Sequence, residues 1–599
     1  RETILIEFEE RDKLNAEKQR LQAYLKELDA ILKDNPRLSD NVGVGYQLFD
    51  EFCYNHLFYV DKTYFINEWL NTSEKVTLIT RPRRFGKTLL LSTVKEFFDT
   101  NSNCSFKDFE DLAVAKDLHT ASLFRSRPVV FISFAGVKGA NMKSALEAIN
   151  FEIYNCFFKH SYLLESDRLT IKDKDKINHI INMRFDEDDS EHFGLIQLLC
   201  QLIYIHHGIK PYILIDEYDT PITESYAYDF FDEMIVFYRK FINHTLKSND
   251  YYERAIVTGI TVVAKNSLFS DMNNISINTC TVDKYTDCFG FTEQEVKDAL
   301  KCQDVKEFEA VKAMYDGFIF GNTKDIYNPW SICNYINRRV LFPYWIGTSS
   351  NSVIAELLRK CPISVKLEFE ELMSGKSIHK TINEYIAYQY LDGDPNSFYS
   401  LLLATGYVKA ENAHIDSEGF TECDITITNL ETKAMFKNQI TYMVSGSIDN
   451  YGYFLDHLLN LKFEHATRTL NGMLYSTISY FDAAKSGDSA PENFYHGLVL
   501  GLIASCQDRY IITSNRESGI GRYDVVMQPR NDTDPAFVME FKVFDEKKEK
   551  TLEDTAKRAL TQIEEKKYAA DLITRGIEKR RIHRLGFAFK DKEALICEG

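Results

Sequence analysis

Residues 76–88 read VTLITRPRRFGKT, and residues 89–98 continue as LLLSTVKEFF. A short apolar run, a cationic loop and an apolar helical pattern predict strand, loop and helix in immediate succession. Gly86-Lys87-Thr88 opens the helix. A loop that cradles phosphates needs backbone N–H groups around the anion, a helix N-terminus aimed at it, a Lys on the β/γ oxygens and Ser/Thr on Mg²⁺. Lys87 and Thr88 supply the last two, with Arg81, Arg83, Arg84, Phe85 and Gly86 completing the loop. Arg81 occupies the slot of the first glycine in G-x-x-x-x-G-K-T, so the loop alone leaves open a chance G-K-T at a helix start.

A second segment bears on that choice. Residues 213–217, ILIDE, are an apolar run ending in two carboxylates, the form of a Walker B strand. Asp216 is placed to hold Mg²⁺ through water and Glu217 to polarise an attacking water. The two acids could instead cap the following turn, where Asp219 and Pro221 have turn chemistry. Two such motifs at strand ends favour nucleotide binding, with ATP or another NTP and Mg²⁺ as cofactors. Thr258, ending the apolar run 255–259, is the candidate γ-phosphate sensor; a buried Thr bonded to its own backbone is the alternative.

Outward from these motifs, apolar runs at 76–80, 128–134, 211–215 and 255–259 alternate with helical patterns, including 88–99 and 226–247. That order predicts an α/β domain whose parallel sheet carries helices on both faces, over residues 41–290. Residues 9–34 read as one helix with a stripe of Leu14, Leu21, Leu25, Leu28 and Leu32, within an N-terminal segment 1–40. Residues 291–349 read as a helical lid. Residues 350–485 form a connecting segment with a hairpin near 406–430, winged-helix-like in its helix–hairpin–helix order.

Residues 486–599 carry a different chemistry. Asp524 lies in GRYDVV (521–526), and after a polar turn PRNDTDPA (529–536) comes FVMEFK (537–542), with Glu540 and Lys542 on one strand face. Metal-dependent phosphodiester hydrolysis needs carboxylates on a rigid strand pair to hold Mg²⁺ and a Lys to orient or activate water. Asp524, Glu540 and Lys542 fit that need in type, order and spacing, as a D…ExK core. E-x-K alone is common as a solvated surface pair, but here an apolar face opposes the charged one.

The formal charge of −18 argues against a chain coated in nucleic acid throughout. Residues 491–599 hold equal numbers of cationic and anionic side chains, and Arg575, Lys579, Arg580, Arg581 and Arg584 are the one basic concentration. That cluster reads either as a phosphate track or as a solvated helix end. The twelve cysteines are scattered without C-x-x-C pairs, which predicts free thiols, an intracellular (cytoplasmic or nuclear) setting and no structural transition metal. No apolar run reaches the ~18 residues of a membrane span, so no membrane partner is expected.

The segments TRPRRFGKT (80–88), YVDKT (59–63), LIDEYDTPI (214–222) and YDGFIFG…YNPWSI (315–332) closely resemble the AAA-ATPase-like family of nuclease-linked proteins. The resemblance covers roughly 41–350, and the part from 490 resembles the PD-(D/E)XK nuclease domain commonly fused to it. An Arg at position 81 lies within that family's pattern, as do Lys265 and Asn274. Val262 and Ile319 stand where the family typically has Arg, which implies slow hydrolysis. By resemblance Gln562 and Tyr568 are accessory polar residues of the nuclease and Glu492 an additional carboxylate ligand. The resemblance implies an ATPase controlling Mg²⁺-dependent nucleic-acid cleavage, on DNA rather than RNA, with a homo-oligomer compatible. The competing readings are a nucleotide-dependent switch or scaffold with a vestigial nuclease site, and an RNA-directed nuclease.

Overall fold

The computed structural model describes residues 41–182, 192–263, 268–269, 272–345, 354, 357, 363–386, 395–417, 420–436, 448–477, 495, 499–500, 502–503, 506, 508–514, 517–518, 521–522, 525–545, 548–566, 569–590 and 593–599. The chain divides between Phe342 and Pro343 into two compact units. The expected N-terminal helix at 9–34 lies outside the described residues, as do Lys265, Glu492, Asp524 and Tyr568.

In the first unit, helix α1 (Tyr64–Leu70) precedes strand β1 (Val76–Thr80) and helix α2 (Lys87–Phe98). There follow β2 (Val129–Ser133), α3 (Met142–Lys159), α4 (Leu195–His207), β3 (Tyr212–Asp216), α5 (Thr220–Ala227), α6 (Phe231–Ile242), β4 (Ala255–Gly259) and β5 (Ile275–Asn278). The five strands form one sheet in the order β2-β3-β4-β1-β5, every pair parallel. Every residue of β1, β3 and β4 is buried. A strand buried at consecutive positions is covered on both its faces, because side chains alternate between them. The order places β4 between β1 and β3, so the end of β4 lies between the phosphate-loop candidate and the acidic turn. Strand β5 was not anticipated from the sequence; it pairs with β1 from Val76↔Ile275 to Ile79↔Asn278.

The segment read as a helical lid begins with β6 (Phe291–Thr292), α7 (Glu293–Cys302) and α8 (Phe308–Tyr315). Strands β7 (Phe318–Phe320) and β8 (Thr323–Tyr327) and helix α9 (Pro329–Arg338) follow. Its three helices are joined by an antiparallel sheet, β6-β8-β7, that the helical reading omitted. Each of two helices starts on a side-chain cap: Thr292 and Glu295 form a capping box on α7, and Asn328 accepts from Trp330 and Ser331 ahead of Pro329 on α9.

The second unit opens with α10 (Ile363–Met373), β9 (Ile378–Ile382), α11 (Pro395–Thr405), β10 (Val408–Ile415) and β11 (Thr421–Ile427). The hairpin expected near 406–430 is β10–β11, and β9 pairs with β11 to complete a three-stranded sheet. Helices α12 (Ile448–Leu459) and α13 (Phe463–Thr477) come next. A mixed sheet follows: β12 (Tyr510–Ser514), β13 (Val525–Pro529) and β14 (Ala536–Val543), then helix α14 (Leu552–Glu565), then β15 (Ile582–Lys590) and β16 (Glu593–Glu598). β14 and β15 run parallel, and the other neighbours are antiparallel.

Alternation sorts the residues of β14 between two cores. Phe537, Met539 and Phe541 pack with Phe454, Leu458, Leu470 and Leu474 of α12 and α13. Two helices assigned by sequence to the connecting segment thus supply one face of this sheet. Ala536 and Val538 face the other way, toward Ile563 of α14 and Leu572. Among the described residues, no helix is long and apolar enough to cross a membrane.

Candidate functional site

Gly86, the N-cap of α2, has φ 83, a left-handed conformation that glycine adopts without a Cβ penalty. No side chain caps this helix, so its first N–H groups are left for an anion. Lys87 is buried, and its Nζ donates to the carbonyls of Arg81 (3.0 Å) and Pro82 (2.8 Å). Burial pulls the Lys87 ammonium below its usual range, while Glu217, Asp216 and Asp219 act in the opposite direction. The Lys87 ammonium is thus held on two neutral loop carbonyls at the start of α2.

Thr88 leads from the loop to the acidic turn. Its hydroxyl donates to Asp216 Oδ2 at 2.7 Å, the Thr258 hydroxyl donates to Oδ1 at 2.7 Å, and Ser133 Oγ lies 3.4 Å from Oδ2. The ends of β2, β3 and β4 therefore converge on one carboxylate beside the first turn of α2. Asp216 is fully buried; burial and then Glu217 push its carboxyl up, against the two threonine hydroxyls and Lys87. Ser133 escaped the sequence reading, although it ends an apolar strand as Thr258 does.

Glu217 follows Asp216 with φ 49, a sparsely populated region for a residue with a side chain. Its carboxylate accepts a 3.3 Å bond from the Thr220 hydroxyl, and the residue lies half-buried. Asp219 is used differently. Its Oδ2 accepts from Ile260 N (3.0 Å), Thr261 N (2.8 Å) and Thr261 Oγ1 (2.8 Å), which fixes the turn after β4.

The arginines of the loop divide the work. Arg81 is fully buried, and its guanidinium donates to five carbonyls, those of Thr80, Asn278, Thr279, Lys284 and Tyr285. It also lies over Phe320 and Phe289, at 4.9 and 5.6 Å from the ring centroids. Its side chain thus braces the sheet edge at β5, and its carbonyl receives Lys87. Arg84, with φ 64, stacks on Trp330 at 3.8 Å. Burial lowers the Arg84 pKa, and Glu217 is near enough to oppose that. Arg83 O accepts from Asn328 Nδ2 at 3.4 Å. Phe85 is buried edge-on against Phe318 and Phe320, and its carbonyl accepts from Gly290 N. The loop is thus clamped by β7 and the start of α9. Val262 is 1% exposed in the core, and Ile319 is half-buried.

In the second unit, Glu540 is 1% exposed on β14, on the face toward α14. Gln562 Nε2 of α14 donates to Glu540 Oε1, and Lys542 Nζ lies 3.3 Å from the same oxygen. The helix comes this close because Gly586, paired with Glu540 in the parallel ladder, has no side chain. A Cβ there would stand 2.5 Å from the Ala556 carbonyl of α14. Three of the sequence-predicted residues, Glu540, Lys542 and Gln562, thus meet. Val525, which follows Asp524, pairs with Met539, which precedes Glu540. The four arginines of the basic cluster have partners within this unit. Arg575 donates to Gln528, Arg580 to Glu578, Arg581 to the carbonyls of Asn531 and Asp534, and Arg584 to Glu564.

A parallel α/β sheet with a G-K-T loop and an acidic strand end, followed by a mixed sheet with a buried E-x-K strand, defines a two-part class of protein. The chain carries an AAA-ATPase-like domain and a C-terminal domain of the PD-(D/E)XK nuclease superfamily. The family described as "Predicted AAA-ATPase" matches residues 43–269, and the PD-(D/E)XK nuclease superfamily matches residues 490–599. A protein of Azotobacter chroococcum mcd 1, described as "Uncharacterized protein in vnfD 5'region", is 27% identical over 306 residues. That match covers 50% of this chain and 52% of the other, so the chain spans about half the length of this curated relative.

Proposed function

We propose that this protein binds ATP or a related NTP at the 81–88 loop and uses its nucleotide state to control Mg²⁺-dependent cleavage of nucleic acid, DNA rather than RNA. The observation that carries the reading is the buried Glu540 carboxylate with Lys542 and Gln562 on one oxygen, in a chain that also joins Lys87, Thr88 and Asp216 at strand ends. A carboxylate this deep is costly unless partnered, and Lys542 and Gln562 both partner it.

Lys87 and the α2 N-terminus would bind the phosphates, and Thr88 and Asp216 would hold Mg²⁺. These residues fit the group: hydroxyl and carboxylate are already adjacent, and both are hard oxygen donors. Glu217 would orient the attacking water and accept its proton, while Thr258 positions Asp216. Asp219, bonded to the 260–261 turn, is unsuited to that task. Contacts of Phe85 and Arg84 with β7 and α9 support a lid role for 291–349, because loop movement would be felt there. In the nuclease, Glu540, Asp524 and Glu492 would hold the metal, whose role is to polarise the phosphodiester and its attacking water. Lys542 would orient that water and Gln562 would hold Glu540. Free thiols at the eleven described cysteines support an intracellular setting.

The test is digestion of plasmid, single-stranded DNA and RNA with Mg²⁺ or Mn²⁺, by wild type and Glu540→Ala. Cleavage of DNA by wild type alone supports the proposal. Equal cutting by both proteins, or none by wild type under any nucleotide condition, rejects it in favour of a switch or scaffold.

A further inference from the structure

Residues 68 and 287–288, far apart in the chain, meet behind the phosphate loop. Glu68 on α1, Asp287 and Cys288 each present one ligand atom, all within 4.8 Å of one another. Cys288 Sγ lies 3.9 Å from Glu68 Oε2 and 3.9 Å from Asp287 Oδ1. The thiol is 2% exposed and points between the two carboxylates, with no hydrogen-bond partner outside them among the described residues.

The neighbouring cations are committed elsewhere. Lys62 Nζ bonds Glu295 Oε2 and the Asp287 carbonyl, each at 2.6 Å, and Lys284 pairs with Glu74. Neither Glu68 nor the Asp287 side chain forms an ion pair among the described residues. Two carboxylates thus share one corner, and the cations nearest to them are paired with other acids. The backbone of the corner is fixed, since the Tyr64 hydroxyl and Lys62 both donate to the Asp287 carbonyl.

We propose that Glu68, Asp287 and Cys288 bind a thiophilic divalent cation of the zinc class, with solvent at the fourth position. In a tetrahedral zinc site, bonds of ~2.0 Å to oxygen and ~2.3 Å to sulfur separate those ligands by about 3.5 Å. The two observed sulfur-to-oxygen separations of 3.9 Å need a contraction of a few tenths of an ångström, and the two carboxylate oxygens, within 4.8 Å of each other, would close toward about 3.3 Å. Binding takes the thiol as thiolate and releases its proton to solvent. A thiolate with two carboxylates favours zinc over Mg²⁺, which prefers all-oxygen octahedral shells. The ion would tie α1 to the 287–290 turn, whose Gly290 N–H holds the Phe85 carbonyl of the phosphate loop. Scattered cysteines and histidines conceal such a site in sequence, because two of its ligands are carboxylates and they come from distant segments.

The full chain, stripped with chelator, is titrated with Co²⁺ and, by competition with a chromophoric chelator, with Zn²⁺. Wild type should develop a thiolate-to-cobalt charge-transfer band in the near ultraviolet. Cys288→Ser should lose that band. Glu68→Gln, at an exposed position, should weaken zinc at least about tenfold while leaving the metal-free melting temperature unchanged. Lys87→Ala and Glu540→Ala should keep the band, so failure of the nucleotide or nuclease reading would not touch this result. Absence of the band in wild type, its persistence in Cys288→Ser, or wild-type zinc affinity in Glu68→Gln would overturn the proposal.

Discussion

Thr88 Oγ1 and Asp216 Oδ2 are 2.7 Å apart, a hydrogen bond between the first turn of α2 and the end of β3. The two residues are far apart in the chain, and only the sheet brings them together. Thr258 holds the other oxygen of the same carboxylate. The acidic strand end is thereby fixed relative to the loop, a preorganisation on which the proposed nucleotide chemistry would rely.

Lys87→Ala removes the one loop ammonium held against the Arg81 and Pro82 carbonyls. Charge-assisted bonds contribute about 1.5–3 kcal/mol each, so ATP affinity should fall by at least about tenfold. Calorimetric titration checks this, and unchanged affinity would mean the loop does not bind phosphate.

Glu217→Gln and Asp219→Ala should fail in different ways. The first should keep ATP affinity and fold while turnover drops by roughly 10²–10⁴, the usual worth of a positioned base. The second leaves the N–H groups of Ile260 and Thr261 without their acceptor, at about 1–3 kcal/mol each, and should lower the melting temperature. Steady-state hydrolysis and thermal melts on both variants separate the roles.

Helix α14 sits on β15 through Gly586. Gly586→Ala places a methyl 2.5 Å from the Ala556 carbonyl, and overpacking of this kind costs typically ~1–3 kcal/mol. The helix must shift, and Gln562 with it, so cleavage should fall further than melting temperature alone explains. Gln562→Ala should reproduce the cleavage loss, with melting lowered only by the lost bond to Glu540, about 1–3 kcal/mol.

The histidines of the first unit set an acid limit. Burial, then His206, His160 and Arg168, depress His207 to about 4, and its Nε2 faces the Tyr162 hydroxyl at 2.9 Å. His160 is also held down, chiefly by burial. Because the unfolded imidazole protonates near ~6.5, the unfolded state binds more protons between that pH and about 4. Stability from neutral His207 is therefore complete above about 6.5 and is lost as pH falls toward 4. Urea midpoints at pH 7.5 and 5 should drop for wild type and drop less for His207→Gln.

Much of this architecture was legible. Strands β1 to β4 are short, mostly apolar runs, charged only at Asp216 where β3 ends, and burial on both faces leaves that signature. Strand β5 did not show, because Ile275-Ser276-Ile277-Asn278 alternates and is only four residues long. The sheet β6-β8-β7 escaped for a similar reason, with strands of two to five residues. At the site, Lys87, Thr88 and Asp216 declared themselves by motif. The use of Arg81 did not, since its five carbonyl acceptors include four from residues 278–285, which come together with it only in the folded sheet. Glu540, Lys542 and Gln562 were readable as pattern, yet the reason they touch, Gly586 beneath α14, lies on another strand.

The most direct test of nucleotide-controlled cleavage is the rate of Mg²⁺-dependent DNA cutting with and without ATP, for wild type, Lys87→Ala and Glu540→Ala. The account predicts an ATP-dependent change in wild type, no response to ATP in Lys87→Ala, and no cutting by Glu540→Ala in either condition. Identical ATP responses in wild type and Lys87→Ala, or cutting by Glu540→Ala at the wild-type rate, would contradict it.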